Sequence, residues 1–230
     1  MTWEGDQMNI PKLDKAIIEE YKKLDSTSIS DAMDKLGIPS GLYGIKPITP
    51  GTVMCGQAFT VRYVPCGEVK GTVGDFLDDV EPGQVCVLDN GGRDYCTVWG
   101  DIMAMTASLK GIAGTLIYGV CRDIRDIHKI QYPIFSNGFY MVTGKDRVEV
   151  AAVNEPVTVA GIKVCPGDLI FGDDTGALAI PYGRAEKVLE IAREIERKED
   201  MIRKFVKDGL SLREARAQTG YHHLQTKGAE

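Results

Sequence analysis

The chain has 230 residues, 43% of them apolar and 26% charged, which is enough to bury a large core in an ordinary globular protein. Its 27 Lys and Arg against 33 Asp and Glu leave a net charge of −6, which argues against a general polyanion binder, since phosphate neutralisation needs a basic face. No apolar stretch approaches the roughly 18 residues that span a bilayer, and the opening MTWEGDQMNIPKLDK has neither a basic leader nor an apolar signal core. The expectation is a soluble, cytoplasmic protein with no nucleic-acid or membrane partner.

In chain order, Leu13 to Leu24 places Leu13, Ile17, Tyr21 and Leu24 on one helical stripe. A second helix is predicted from about Ser28 to Leu36, capped by Ser26 or Thr27 and ended by Gly37. The β-branched run from Thr52 to Val64 predicts a strand, with a bulge suggested at Gly56. EPGQVCVLDNGG reads as a turn, a buried strand and a glycine loop. WGDIMAMTASLKG predicts a helix closed by Gly111, and Thr115 to Val120 is apolar enough for a buried strand. Short strands punctuated by Gly, Pro and Asp follow to about Pro181. The end is a long amphipathic helix, Arg184 to Asp208, with Val188, Ile191, Ile195, Ile202 and Val206 as its stripe. A short helix from about Ser211 to Gln218 completes a C-terminal helical arm over 184–218, and the two opening helices span 12–36. No linker or repeat interrupts the chain, so residues 1–230 read as one α/β domain.

Cys55, Cys66, Cys86, Cys96, Cys121 and Cys165 include no CxxC pair and mostly sit in apolar runs. Reduced, buried thiols are expected. His128, His222 and His223 form no zinc-binding pattern.

The polar cluster nearest buried structure is Trp99-Gly100-Asp101-Ile102-Met103 with Cys121-Arg122-Asp123. The strand ending at Val120 delivers Arg122 and Asp123 to a sheet rim, where ligand sites concentrate. The amides of Asp101, Ile102 and Met103 open a helix and offer a seat to a carboxylate. Arg122 supplies a planar fork for a carboxylate or 2-oxo acid, and Asp123 one hard oxygen for Mg²⁺ or Mn²⁺. The same residues read equally as a helix cap and a structural ion pair.

Asp101, twenty intervening residues, then Arg122-Asp123 resembles the D-x20-R-D signature of the RraA-like family, which includes the 4-hydroxy-4-methyl-2-oxoglutarate and 4-carboxy-4-hydroxy-2-oxoadipate aldolases. The wider segments WGDIMAMTASLKGIAGTLIYGVCRDIRDI, SISDAMDKLG and VAGIKVCPGDLIFGDDTGALAIP resemble the same family. The resemblance implies a layered β/β/α fold of the swivelling-domain type, assembled as trimers or hexamers with the site at the subunit boundary. It implies that Gly100 to Met103 and Arg122 bind a 2-oxo acid, and that Asp123 is the protein ligand of a divalent metal. Asp101 would orient a proton-carrying water. Glu199 resembles an acidic residue that some aldolases send in from the neighbouring subunit, although a glutamate on a charged helix also reads as a solvated face. Tyr118 and Cys121 depart from the usual pattern beside the site, and Asp126 completes an R-D-x-x-D pattern. Cys121 has no histidine partner that would make it a nucleophile.

Two functions compete. One is a metal-dependent lyase that cleaves a 4-hydroxy-2-oxo acid to pyruvate and also decarboxylates oxaloacetate. The other is a non-catalytic regulator that binds and inhibits an endoribonuclease. The long C-terminal helix and the intact Asp101, Arg122 and Asp123 favour the enzyme.

Overall fold

The computed structural model describes residues 10–68 and 70–220. His222, His223 and the opening nine residues lie outside that range. Two helices come first, α1 (Lys15–Tyr21) and α2 (Ser26–Lys35). Strands β1 (Lys46–Pro47), β2 (Met54–Pro65) and β3 (Val85–Thr97) follow, then α3 (Asp101–Leu109), β4 (Gly114–Cys121), α4 (Ile124–Ile130) and β5 (Ile134–Phe139). Next come β6 (Val148–Val153), β7 (Val157–Val159), β8 (Ile162–Val164), β9 (Leu169–Asp173) and β10 (Gly176–Ile180). Helices α5 (Ala185–Lys207) and α6 (Leu212–Thr219) close the described chain.

The main sheet runs β1-β5-β4-β3-β2-β9-β10, with β6 also on β2 and a separate β7-β8 ribbon. Strands β2, β3, β4 and β5 are mutually parallel, whereas β9 joins the start of β2 antiparallel. Alternation along the strands feeds two cores. Cys86, Leu88 and Ile117 point to the side covered by α3 and α4, while Val85, Val87 and Leu116 point to the other, with Ile170, Ala177 and Ala179 of β9 and β10. Leu169, Phe171, Leu178 and Ile180 face a third core built with α1, α2 and α5. The result is an α/β fold of the expected layered kind.

Several local expectations shift. The cap of α2 is Asp25, whose carboxylate accepts from Ser28 N at 2.7 Å, and not Ser26 or Thr27. Ser26 is occupied elsewhere, its amide and hydroxyl both donating to Asp173. Gly56 sits in regular pairing with Ile170. A Cβ there would collide with the Gly83 carbonyl oxygen, so the glycine serves close packing, and the bulge in β2 falls at Arg62–Tyr63. The glycine loop is instead a bow inside β3. Gly91 and Gly92 adopt left-handed φ of 60° and 69°, and Tyr118 of β4 packs its ring against Gly92, so pairing with β4 resumes beyond the bow.

In the C-terminal helical arm, the first half of α5 packs onto the body of the protein. Val188, Leu189, Ile191, Ala192 and Ile195 belong to the third core, and the Tyr21 hydroxyl donates to Ala185 O at 2.7 Å. Val206, placed on the stripe by periodicity, is exposed because α5 has by then run past that core. All six cysteines are free thiols, four of them buried. No helix among the described residues is long and apolar enough to cross a membrane.

Candidate functional site

The site forms where β4 ends. Arg122 N donates to Trp99 O at 3.0 Å, which ties the strand end to the residue before Gly100. Trp99 itself is buried and stacks on Tyr132. Gly100 is the extended N-cap of α3, so Asp101 lies in the first helical turn and is not the cap. A Cβ on Gly100 would stand 2.6 Å from Asp123 Oδ2 and 3.3 Å from Arg122 Nε. The glycine is therefore required by the approach of these two side chains and not by its own backbone angles.

Asp123 is held in an unusual way. Its φ of 61° and ψ of 36° are left-handed, and its carbonyl starts α4 by accepting from Asp126 N and Ile127 N. An aspartate at an N-cap normally adopts extended angles and bonds a helical amide with its side chain. Here the side chain makes no cap bond. Its Oδ2 instead meets Arg122 Nε at 3.2 Å and Asp101 N at 3.4 Å. Oδ1 of Asp123 and both Nη groups of Arg122 make no hydrogen bond among the described residues. The ion pair is partly exposed, and such pairs contribute about 0–1 kcal/mol. Stability alone is a weak reason for setting the carboxylate beside Arg122.

Gly100, Asp101, Arg122 and Asp123 are thus brought together as expected. Ile102 is 70% exposed, so only its amide can serve the site, and the Met103 side chain packs on the first core and against Gly74. Glu199 sits elsewhere in this chain. It pairs with Arg203 at 2.9 Å, and burial beside Asp25, Asp31 and Asp200 pushes its carboxyl up. Asp126 pairs with Lys129, which lowers its carboxyl, so it serves the first turn of α4. Burial pushes the Cys121 thiol up to about 11, leaving it protonated and unreactive near neutral pH.

The donor set bears on a metal. Among the described residues no group of three or more His, Cys, Asp or Glu could hold one. A single carboxylate with an unshared oxygen fits Mg²⁺ or Mn²⁺, which keep most of their waters, and does not fit zinc.

Sequence reasoning missed one part of the site. Ile124, Phe139, Tyr140 and Met141, together with Arg122 and Asp123, line a cleft of ≈ 350 Å³. The available signal was the run of large apolar residues after Gly138, at the end of a strand where a polar turn is usual.

An arginine and a carboxylate at the end of a parallel strand, facing a helix N-terminus, stand at the kind of sheet rim where α/β proteins commonly bind ligands. The chain is a member of the RraA-like family, described as Aldolase/RraA, which matches residues 26–179. It is 38% identical over 209 residues to Protein DlpA of Legionella pneumophila, covering 89% of this chain but 34% of DlpA. It therefore spans about a third of that relative's length. A Halalkalibacterium halodurans protein named "Putative 4-hydroxy-4-methyl-2-oxoglutarate aldolase" is 31% identical, with 84% of this chain and 90% of that protein covered. Among solved structures, an uncharacterized protein from Pseudomonas syringae pv. tomato superposes with a TM-score of 0.87 at 40% identity, covering 91% of this chain and 96% of that one. Streptomyces coelicolor RraAS2, described as an unusual member of the RNase ES inhibitor RraA protein family, gives 0.78 at 26% identity, covering 84% and 98%.

Proposed function

We propose that this protein is a divalent-metal-dependent lyase that releases pyruvate from a 4-hydroxy-2-oxo acid and also decarboxylates oxaloacetate. The observation that carries this reading is the left-handed Asp123, whose carboxylate is withdrawn from helix capping and set beside Arg122 and Gly100. The names of relatives such as the Halalkalibacterium protein point the same way.

In this reading Arg122 binds the substrate carboxylate through its Nη edge, and the Ile102 and Met103 amides add the positive end of α3. Asp123 would hold Mg²⁺ or Mn²⁺, which supplies a Lewis acid that polarises the 2-oxo group. Breaking the C3–C4 bond leaves its electron pair on C3 of the pyruvate enolate, and the 4-hydroxyl loses its proton as it becomes a carbonyl. Asp101 orients the water that exchanges these protons. Loss of carbon dioxide from oxaloacetate passes through the same enolate, so one arrangement serves both reactions. Closed trimers or hexamers belong to this proposal, and a role for Glu199 requires that it arrive from a neighbouring subunit.

The test is pyruvate release from oxaloacetate with Mg²⁺, after chelation, and in Asp123→Asn. Asparagine tolerates the left-handed backbone, so the variant is expected to fold and to lose metal-stimulated turnover. Wild-type activity that survives exhaustive chelation would sink the metal-dependent reading. The resemblance to RraAS2 supports a second reading, a regulator that binds an endoribonuclease; inactivity of the wild type toward every 2-oxo acid would bring it forward.

A further inference from the structure

The cleft at the end of β4 has two unlike parts. Arg122 and Asp123 occupy one, and Ile124, Phe139, Tyr140 and Met141 form the other. Phe139 is 67% and Met141 76% exposed, a costly state for large apolar side chains unless something covers them. These side chains are carried on anchored backbone. Tyr140 N donates to Cys121 O at 2.9 Å, and Phe139 pairs with Cys121 in the sheet. Just beyond, the Thr97 amide and hydroxyl both donate to Val142 O, at 3.0 and 3.1 Å. The apolar wall is thus fastened to the same strand end that presents Arg122 and Asp123.

Charge decides what fits. Arg122 is the sole cation among the residues lining the cleft. Within one chain, a ligand whose carboxylate meets Arg122 has no second basic partner along the wall, and a carboxylate at its far end would lose water against Phe139 and Met141 with no cation in return. An apolar or aromatic tail would instead cover those side chains, and a ring can stack or pack edge-on against Phe139.

We infer that this site selects 2-oxo monocarboxylates carrying an apolar or aromatic tail over those with a second carboxylate at the far end, and that Phe139 and Met141 set the choice. The inference rests on the proposed seating of the carboxylate at Arg122. It departs from the dicarboxylic compound in the Halalkalibacterium relative's name.

Calorimetric titration of the intact protein with phenylpyruvate and with 2-oxoglutarate, both with Mg²⁺, tests it without requiring turnover. Phenylpyruvate is expected to bind about tenfold tighter or better, a gap set by covering one ring. The Phe139→Ala, Met141→Ala double variant, checked for folding by its thermal melt, should bring the ratio toward unity. Equal or tighter binding of 2-oxoglutarate to the wild type would overturn the inference, as would binding of neither ligand at millimolar concentration. So would a ratio that persists in the folded double variant, and a changed sedimentation of that variant would then mark the wall as a contact between copies. The two readings fail separately. A phenylpyruvate preference without pyruvate release from any 2-oxo acid retains the ligand class and removes the lyase, whereas oxaloacetate turnover with a 2-oxoglutarate preference does the reverse.

Discussion

Gly100 is where backbone and chemistry meet most closely. An alanine there would place its Cβ 2.6 Å from Asp123 Oδ2, and the movable carboxylate, not the main chain, must yield. Gly100→Ala is therefore expected to melt within a few degrees of wild type and to lose most oxaloacetate turnover. Arg122→Lys should fail nearly as badly as Arg122→Ala, since lysine keeps the charge but lacks the planar fork. The loss of a charged hydrogen bond costs about 1.5–3 kcal/mol, roughly tenfold to a hundredfold in kcat/KM. Steady-state kinetics beside thermal melts separates this from a structural role, which would lower the melting temperature and spare the activity of the folded fraction. The spacing of Asp101 from Arg122-Asp123 made these residues legible in the sequence. The left-handed backbone of Asp123 and the cradle at Gly100 were not, because both depend on where the loop before α3 meets the end of β4.

At the scale of elements, the legible parts are those whose pattern is local. The stripe of Tyr21 and Leu24, the breaks at Gly37 and Gly111, and the apolar β4 all follow from residues adjacent in the chain. Misreadings arose where a distant element decided the outcome. Asp173 of β9 claims Ser26 and leaves the capping of α2 to Asp25, and Tyr118 of β4 accommodates the bow that Gly91 and Gly92 create in β3. The pairing of α2 with α5 has a pH consequence. Burial raises the Glu199 carboxyl, and Asp25, Asp31 and Asp200 add to that rise while Arg203 opposes it; Glu196 beside them is raised as well. A raised carboxyl keeps its proton in the folded chain after the unfolded chain has released it. Stability is thus greater below the ordinary glutamate range and falls as pH rises through the raised value. Glu199→Gln should flatten the decline in melting temperature above the ordinary glutamate range, and raise it at the upper end by on the order of 1–2 °C. A pH series of calorimetric melts checks this, and an unchanged slope would count against the cluster.

For the whole molecule, one part of the exposed apolar surface is gathered on a single helix face. Ile102, Met105 and Leu109 recur along the outer face of α3 at 70%, 50% and 83% exposure, a stripe facing away from the core. A continuous face of this kind calls for a partner, and a closed ring of copies is the economical one. We expect the wild type to sediment as a trimer or hexamer at about 10 µM, a working range for such assemblies. Leu109→Asp should shift it toward monomer without altering its circular dichroism. A wild-type monomer under those conditions would contradict the assembly and leave Glu199 with no route to the site.

The left-handed backbone at Asp123 also limits how this position can drift. Glycine, asparagine and aspartate occupy that well at little cost, and both alternatives lie one base change from an aspartate codon. Each would leave α4 correctly started and remove the carboxylate charge. If the proposed lyase reading holds, a single step at this position turns a catalyst into a folded, inert surface, available for selection as a binding protein.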